Sequence, residues 1–262
     1  MTNDIEIPKR LIFFEGCTTS RVLKATRVAT YVILEKAVEK GIIEEYRTIP
    51  NERCCGYPSA EMGDFETQMQ NMIFNINQIN RIGMKDVLFT CGACTMFMGD
   101  HPEFRKRDLK PINIMEFIYA IARDNQLEKL IDRKLPSTLK VTGHYACHLR
   151  RLAGLKMDKL YRGIMEKLGG EYVEMPNATD CCGAGSEGNV ALEIAKKKVR
   201  NVNKTNAVIC PLSCAGCEAI LTVAAKQESA KTRFPSISTV VASCFDDLDN
   251  RIVELAKKKV IK

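Results

Sequence analysis

One feature constrains this chain more than any other: the same order of signals runs along it twice. In the first pass the apolar run Leu11-Ile12-Phe13-Phe14 leads to Cys17. Residues 19–40 then carry apolar positions at helical spacing until Gly41 stops the pattern. A strand-like stretch at 46–49 precedes Cys54-Cys55-Gly56, a helical pattern covers 66–82, and Val87-Leu88-Phe89-Thr90 delivers Cys91-Gly92-Ala93-Cys94. In the second pass a strand at 139–141 leads to His144-Tyr145-Ala146-Cys147, and a helix at 158–168 ends on Gly169-Gly170. A strand at 171–174 precedes Cys181-Cys182-Gly183, a helix spans 191–202, and a strand at 207–209 runs into Cys210-Pro211-Leu212-Ser213-Cys214-Ala215-Gly216-Cys217.

Each pass reads β-α-β-α-β, which predicts an α/β fold of two pseudo-repeated units with parallel strands joined by right-handed crossovers. The expected units are residues 1–135 and 136–262, meeting near Leu135-Pro136-Ser137, where helical patterning ceases. Loops that leave the carboxyl ends of parallel strands gather on one edge of the sheet. Every cysteine motif follows a strand, so thiols separated by dozens of residues are expected to meet there.

The cysteines form two sets, Cys17, Cys54, Cys55, Cys91 and Cys94, then Cys147, Cys181, Cys182, Cys214 and Cys217, with Cys210 beside the second. A C-x2-C at the start of a helix brings two sulfurs to one centre and offers free amide groups to thiolate charge. A vicinal Cys-Cys pair chelates a single tetrahedral metal poorly but suits different irons of a multinuclear cluster, and Gly56 and Gly183 allow the sharp turn this needs. Soft thiolates select iron–sulfur clusters or zinc. Five ligands exceed the four of zinc, so clusters are expected, with zinc in one half as the alternative. Disulfides are not expected: 262 residues with 45% hydrophobic content can build a core without staples, and the opening MTNDIEIPKR has no apolar signal segment. The expected compartment is the cytoplasm. The longest apolar candidate, 207–225, is interrupted by Pro211, three cysteines and Glu218, so a membrane role would need a partner protein.

These motifs resemble the paired cysteine-rich CCG domains of the B-type subunits of heterodisulfide reductases and their relatives, among them proteins linked to thiol:fumarate reductase and some succinate dehydrogenases. The likeness covers nearly the whole chain. It implies a noncubane 4Fe-4S cluster on each five-cysteine set and a disulfide or thiol substrate between them, cleaved or formed by one-electron steps. It also implies an iron–sulfur partner of the heterodisulfide reductase C type and a flavin partner of the A type. The second motif departs from the pattern by offering Cys210, Cys214 and Cys217 where two cysteines are needed. The CPxC common in the family favours Cys210, whereas the likeness of Cys214-Ala215-Gly216-Cys217 to Cys91-Gly92-Ala93-Cys94 favours the other pair, and the balance lies with that pair.

Other candidates are weaker. His144, His148 and His101 lie near cysteine motifs, and His144 is the preferred proton donor for a disulfide whose cleavage consumes two protons. Arg53, Arg150 and Arg151 are candidate contacts for an anionic substrate, and Cys244 reads as a buried inert thiol. The net charge of +7 is spread through clusters at 105–107, 148–151 and 196–198, which read mainly as solvated surface. Aromatics make up only 6% of the chain and do not interleave with the basic runs, so nucleic acid is not expected as a partner. No GxGxxG unit and no C-x2-C-x2-C-x3-C ferredoxin run occurs, so electrons are expected from other proteins. Two other functions fit the same residues: a noncatalytic relay or anchoring subunit of a dehydrogenase complex, and a zinc-stabilised interaction module.

Overall fold

The strand β1 (Arg10–Phe14) is buried from Leu11 to Phe14, as an unbroken apolar run in the middle of a parallel sheet should be. The computed structural model describes residues 5–258, 260 and 261. With β2 (Glu45–Thr48), β3 (Asp86–Phe89) and β4 (Lys110–Asn113), β1 forms a parallel sheet in the order β2-β1-β3-β4. The crossovers carry α1 (Cys17–Arg21), α2 (Lys24–Glu39), α3 (Tyr57–Glu61), α4 (Phe65–Ile82), α5 (Gly92–Gly99) and α6 (Pro102–Lys106). After β4 come α7 (Ile114–Arg123) and α8 (Leu127–Leu130).

The second half repeats the sheet in reduced form. Strands β5 (Leu135–Val141) and β6 (Gly169–Tyr172) pair in parallel, and the next two positions are single parallel bridges, Val141 to Ile209 and Ile209 to Arg233. Helices α9 (Met157–Leu168), α10 (Gly188–Asn203), α11 (Ala215–Gln227), α12 (Ile237–Ala242) and α13 (Leu248–Lys257) complete the chain. The registers make the two halves equivalent residue by residue. Leu11 pairs with Tyr46 and Asp86, and Val141 with Tyr172 and Ile209. Phe89 pairs with Asn113, and Leu212 with Ser236; Asn113 and Ser236 each cap a helix with the side chain, α7 and α12 respectively. Cys17 and Cys147 therefore occupy one position of the repeat, as do Cys91 and Cys214, and Cys94 and Cys217.

The halves are packed into each other. Helix α7, buried along its length except at Arg123, lies against α9 of the second half, while α12 and α13 lie against α2 of the first. Thr30 donates to Ser238 Oγ at 3.0 Å, and Thr26 donates to the Glu218 carboxylate at 2.7 Å. One hydrophobic core runs from Leu11 to Ile261 through both repeats. The division at 135/136 is thus one we propose for the sequence repeat, and it coincides with the start of β5.

Several elements differ from expectation. The helical pattern at 19–40 is two helices, because Leu23 leaves helical geometry with ψ at 61°. No glycine or proline marks that break; it lets Thr19 meet Thr90, Oγ1 to Oγ1 at 2.9 Å, while α2 keeps its apolar face on the core. The strand expected at 207–209 survives only as isolated bridges. Lys198 is not a surface charge: it is buried, and its ammonium donates to the carbonyls of Asn177 and Ala178. Among the described residues no helix is long and apolar enough to cross a membrane.

Candidate metal centre

The first cysteine set is assembled by three loops at the carboxyl ends of β1, β2 and β3. Glu52 ties the first two: its carboxylate accepts from the backbone N–H groups of Glu15 and Gly16 at 2.9 and 2.8 Å, and burial pushes its pKa up to about 8. Asn75 of α4 holds the Cys-Cys-Gly loop, accepting from Arg53 N at 2.9 Å and donating to the carbonyls of Arg53 and Cys54 at 2.9 and 3.3 Å. Gly56 sits at φ 91°, and a Cβ there would come 2.8 Å from the Gln68 carbonyl. Its conformational freedom serves the close pass against α4 as well as the turn. The result brings Cys54 Sγ to 3.4 Å from Cys17 Sγ and Cys94 Sγ to 3.3 Å from Cys55 Sγ.

The second set is built in parallel. Cys182 Sγ lies 3.1 Å from Cys217 Sγ, and Gly183 N–H donates to Cys181 Sγ at 3.3 Å. Gly183 has φ 90°, and a Cβ would meet the Ala191 carbonyl of α10 at 2.4 Å. Cys147 leads into a single π-helical turn, His148–Leu152, where the first half has the α-helical turn α1. In both sets the C-x2-C begins a helix: Cys91 caps α5 and Cys214 caps α11, with Cys94 and Cys217 in the first turns. Amide groups there favour negative sulfur.

Shared protons give each set thiolate character. Hydrogen bonds from the Cys54 and Cys94 thiols lower Cys55 to about 5. Cys181 is lowered by Cys147 and Cys182, and Cys214 by Cys217 and Cys91. Cys17, Cys147 and Cys217 are raised in turn, chiefly by the hydrogen bonds shared with Cys54, Cys181 and Cys182. None of the twelve cysteines forms a disulfide.

The two sets face one cavity of about 180 Å³, lined by thiols of both, and Cys91 Sγ approaches Cys214 Sγ to 3.8 Å. Its small-residue walls, Ala93, Ala184 and Gly216, leave room between the sulfurs. The polar groups on its walls include Tyr57, whose hydroxyl meets His148 Nε2 at 3.2 Å, and Glu61. Five clustered thiols per half, three of them across the two sets shifted toward the thiolate, suit a soft multinuclear metal group better than four-coordinate zinc.

The remaining candidates sort by position. Cys210 is fully buried and does not line the cavity; in the repeat it takes the place of Val87, a strand residue facing the core. Cys244 is buried with its thiol toward the Val240 carbonyl at 3.7 Å. His144 is 1% exposed and is not among the residues lining the cavity, whereas His148 lines it. His101 caps α6, accepting from Glu103 N–H at 3.2 Å. Arg53 stacks on the Phe74 ring at 4.1 Å, beside an outer opening that also exposes Cys17 and Cys54. Glu52, Asn75, Tyr57 and Glu61 carried no sequence signal, because each acts on a loop or residue distant in the chain or on a cavity formed only after folding.

The family described as CCG, Cysteine-rich domain, matches residues 11–99 and again 141–222. The D subunit of the dihydromethanophenazine:CoB–CoM heterodisulfide reductase of Methanosarcina acetivorans is 26% identical over 235 residues, which cover 82% of this chain and 54% of that protein. The B subunit of the fumarate reductase (CoM/CoB) of Methanothermobacter marburgensis is 27% identical over 214 residues, 77% of this chain and 40% of that one. The B subunit of the ferredoxin/F420H2-dependent CoB–CoM heterodisulfide reductase of Methanosarcina acetivorans is 26% identical over 204 residues, 67% and 65%. The chain thus spans 40% to 65% of the length of these curated relatives.

Proposed function

The chain belongs to the CCG cysteine-rich domain family, and from that membership we propose that it is an iron–sulfur subunit of an oxidoreductase complex of the heterodisulfide reductase or fumarate reductase type. One observation carries the reading: nine of the ten thiols of two equivalent halves line a single cavity, Cys54 Sγ lying 3.4 Å from Cys17 Sγ, with the sets in contact at Cys91 and Cys214. Cys17, Cys54, Cys55, Cys91 and Cys94 would hold one noncubane 4Fe-4S cluster, and Cys147, Cys181, Cys182, Cys214 and Cys217 the other, with Cys210 outside both. Such groups, when bound, supply one-electron exchange, which suits the two-electron, two-proton reduction of a disulfide to two thiols or its reverse.

The protein's own residues do the rest. Glu52 and Asn75 fix the loops that present the first set, and Gly183 lets the Cys181-Cys182 loop lie against α10. Ala93, Ala184 and Gly216 leave an opening sized for sulfur-containing groups, and Tyr57 with His148 presents hydrogen-bonding groups to whatever occupies it. Electrons would come from an iron–sulfur partner of the heterodisulfide reductase C type and a flavin partner of the A type. Twelve free thiols accord with a reducing cytoplasm.

The test is disulfide reduction by the complex purified anaerobically with its partners and supplied with a low-potential electron donor. Release of two thiols per two electrons is the expected result. Normal electron transfer through the complex with no thiol released would replace this reading with that of a noncatalytic relay.

A further inference from the structure

The two sets are equivalent in backbone and unlike in surroundings. Three residues before the lone cysteine, the first half has Phe14 and the second has His144, at the same register position. Phe14 packs on the Phe89 ring at 5.2 Å between centroids. His144 is 1% exposed, and neither ring nitrogen has a hydrogen-bond partner. A ring nitrogen lies with the Cys182 and Cys217 sulfurs in a group whose atoms are all within 4.8 Å of one another. An imidazole buried with both nitrogens unpaired is costly to leave unsatisfied, so a partner is called for. Those sulfurs are acceptors within that group.

The wider charge distribution points the same way. Lys198, buried and hydrogen-bonded to Asn177 and Ala178, acts electrostatically on Cys182 and Cys217. The groups that hold the Cys17 loop of the first set supply no such cation: Glu52, held protonated up to about pH 8, closes the loop, and Glu15 beside it is neutralised by Arg27. Hydrogen bonds to ligand sulfur and nearby positive charge both favour the reduced form of an iron–sulfur centre.

We propose that His144 is a positioning residue whose ring N–H, once a cluster is bound, would donate to ligand sulfur at Cys182 or Cys217, and that with Lys198 it makes the second centre easier to reduce than the first. This rests on the cluster reading above. It gives the pair of sites a direction: an electron delivered by the iron–sulfur partner comes to rest on the second set's side of the cavity.

The test is a potentiometric titration followed by electron paramagnetic resonance on the anaerobically purified protein, with iron and sulfide counted for every variant. Signals are assigned by their loss in Cys55→Ser and in Cys182→Ser. In the wild type the second signal should be reduced first. His144→Phe, which installs the first half's residue, should lower the reduced-to-oxidised ratio of the second signal about tenfold at fixed potential, about 59 mV for one electron. The first signal should not move, and His144→Gln, which keeps an N–H donor, should stay near the wild type. If His144→Phe loads poorly, Lys198→Met carries the same expectation. Full iron and sulfide with both midpoints unchanged in the variants would overturn the inference and leave the cluster reading intact. A wild type without iron and sulfide would overturn both.

Discussion

Replacing Asn75 by alanine removes three hydrogen bonds at once from the loop that carries Cys54 and Cys55. Asn75 is fully buried, but Arg53 is exposed and Cys54 half-buried, so water can partly satisfy the freed groups. About 1 kcal/mol per bond is then appropriate, or about 3 kcal/mol in all. Alanine is the better helix former within α4 and returns about 0.6 kcal/mol, which leaves a net loss of about 2.5 kcal/mol. For a chain of this size the unfolding entropy is roughly 0.55 kcal/mol per degree, so Tm should fall by about 5 °C. Asn75→Asp should be at least as harmful, because it keeps the acceptor for Arg53 N–H but turns an oxygen toward two carbonyls. The assay is thermal unfolding of both variants under anaerobic conditions, alongside the alkylation rate of Cys54, which should rise as the loop loosens. A loss below about 0.5 kcal/mol with Cys54 no more reactive would refute the claim that Asn75 holds this loop.

Other outcomes follow from the same geometry. Gly183→Ala should cost about 1–2 kcal/mol for the left-handed backbone alone, and more for the 2.4 Å approach to the Ala191 carbonyl; urea unfolding measures it, and metal loss confined to the second set should accompany it. Glu116, buried in the capping box of α7, keeps its proton in the folded state up to about pH 7. Between pH 4.5 and about 7 the unfolded chain releases this proton and the folded one does not, so stability should fall as pH rises through that window, by up to about 3 kcal/mol. Glu116→Gln should flatten that slope in denaturant titrations at several pH values. A Cys54→Ser/Cys55→Ser variant should lose about half of its iron and sulfide while keeping the second set loaded, which separate counts on Cys181→Ser/Cys182→Ser should mirror.

The repeat itself was legible because apolar runs and glycine stops are local signals: the parallel α/β architecture, the ends of α4 and α9, and the paired cysteine-rich domains follow from them. The likeness to heterodisulfide reductase proteins is borne out by the family match at both repeats and by the curated relatives. What escaped was set at long range. The break at Leu23 answers contacts of Thr19 and α2 with distant partners, not a breaker residue. Spacing alone does not place Cys210 apart from the cavity that Cys214 and Cys217 line, since the register that puts Cys210 level with Val87 exists only once Ile209 pairs with Arg233. The strand and helix at 110–123 did carry a local signal, the Asn113 to Glu116 capping box, which the cysteine repeat overshadowed. Lys198 looked like one lysine of a charged run, and only its carbonyl partners reveal it as part of the core.

The central claim is that each five-thiol set holds an iron–sulfur cluster, and elemental analysis of the anaerobically purified chain tests it most directly. Two 4Fe-4S clusters predict about eight iron atoms and about eight acid-labile sulfides per chain, with zinc negligible. About one or two zinc atoms per chain with little iron or sulfide would contradict it, and the two sets would then be structural zinc sites.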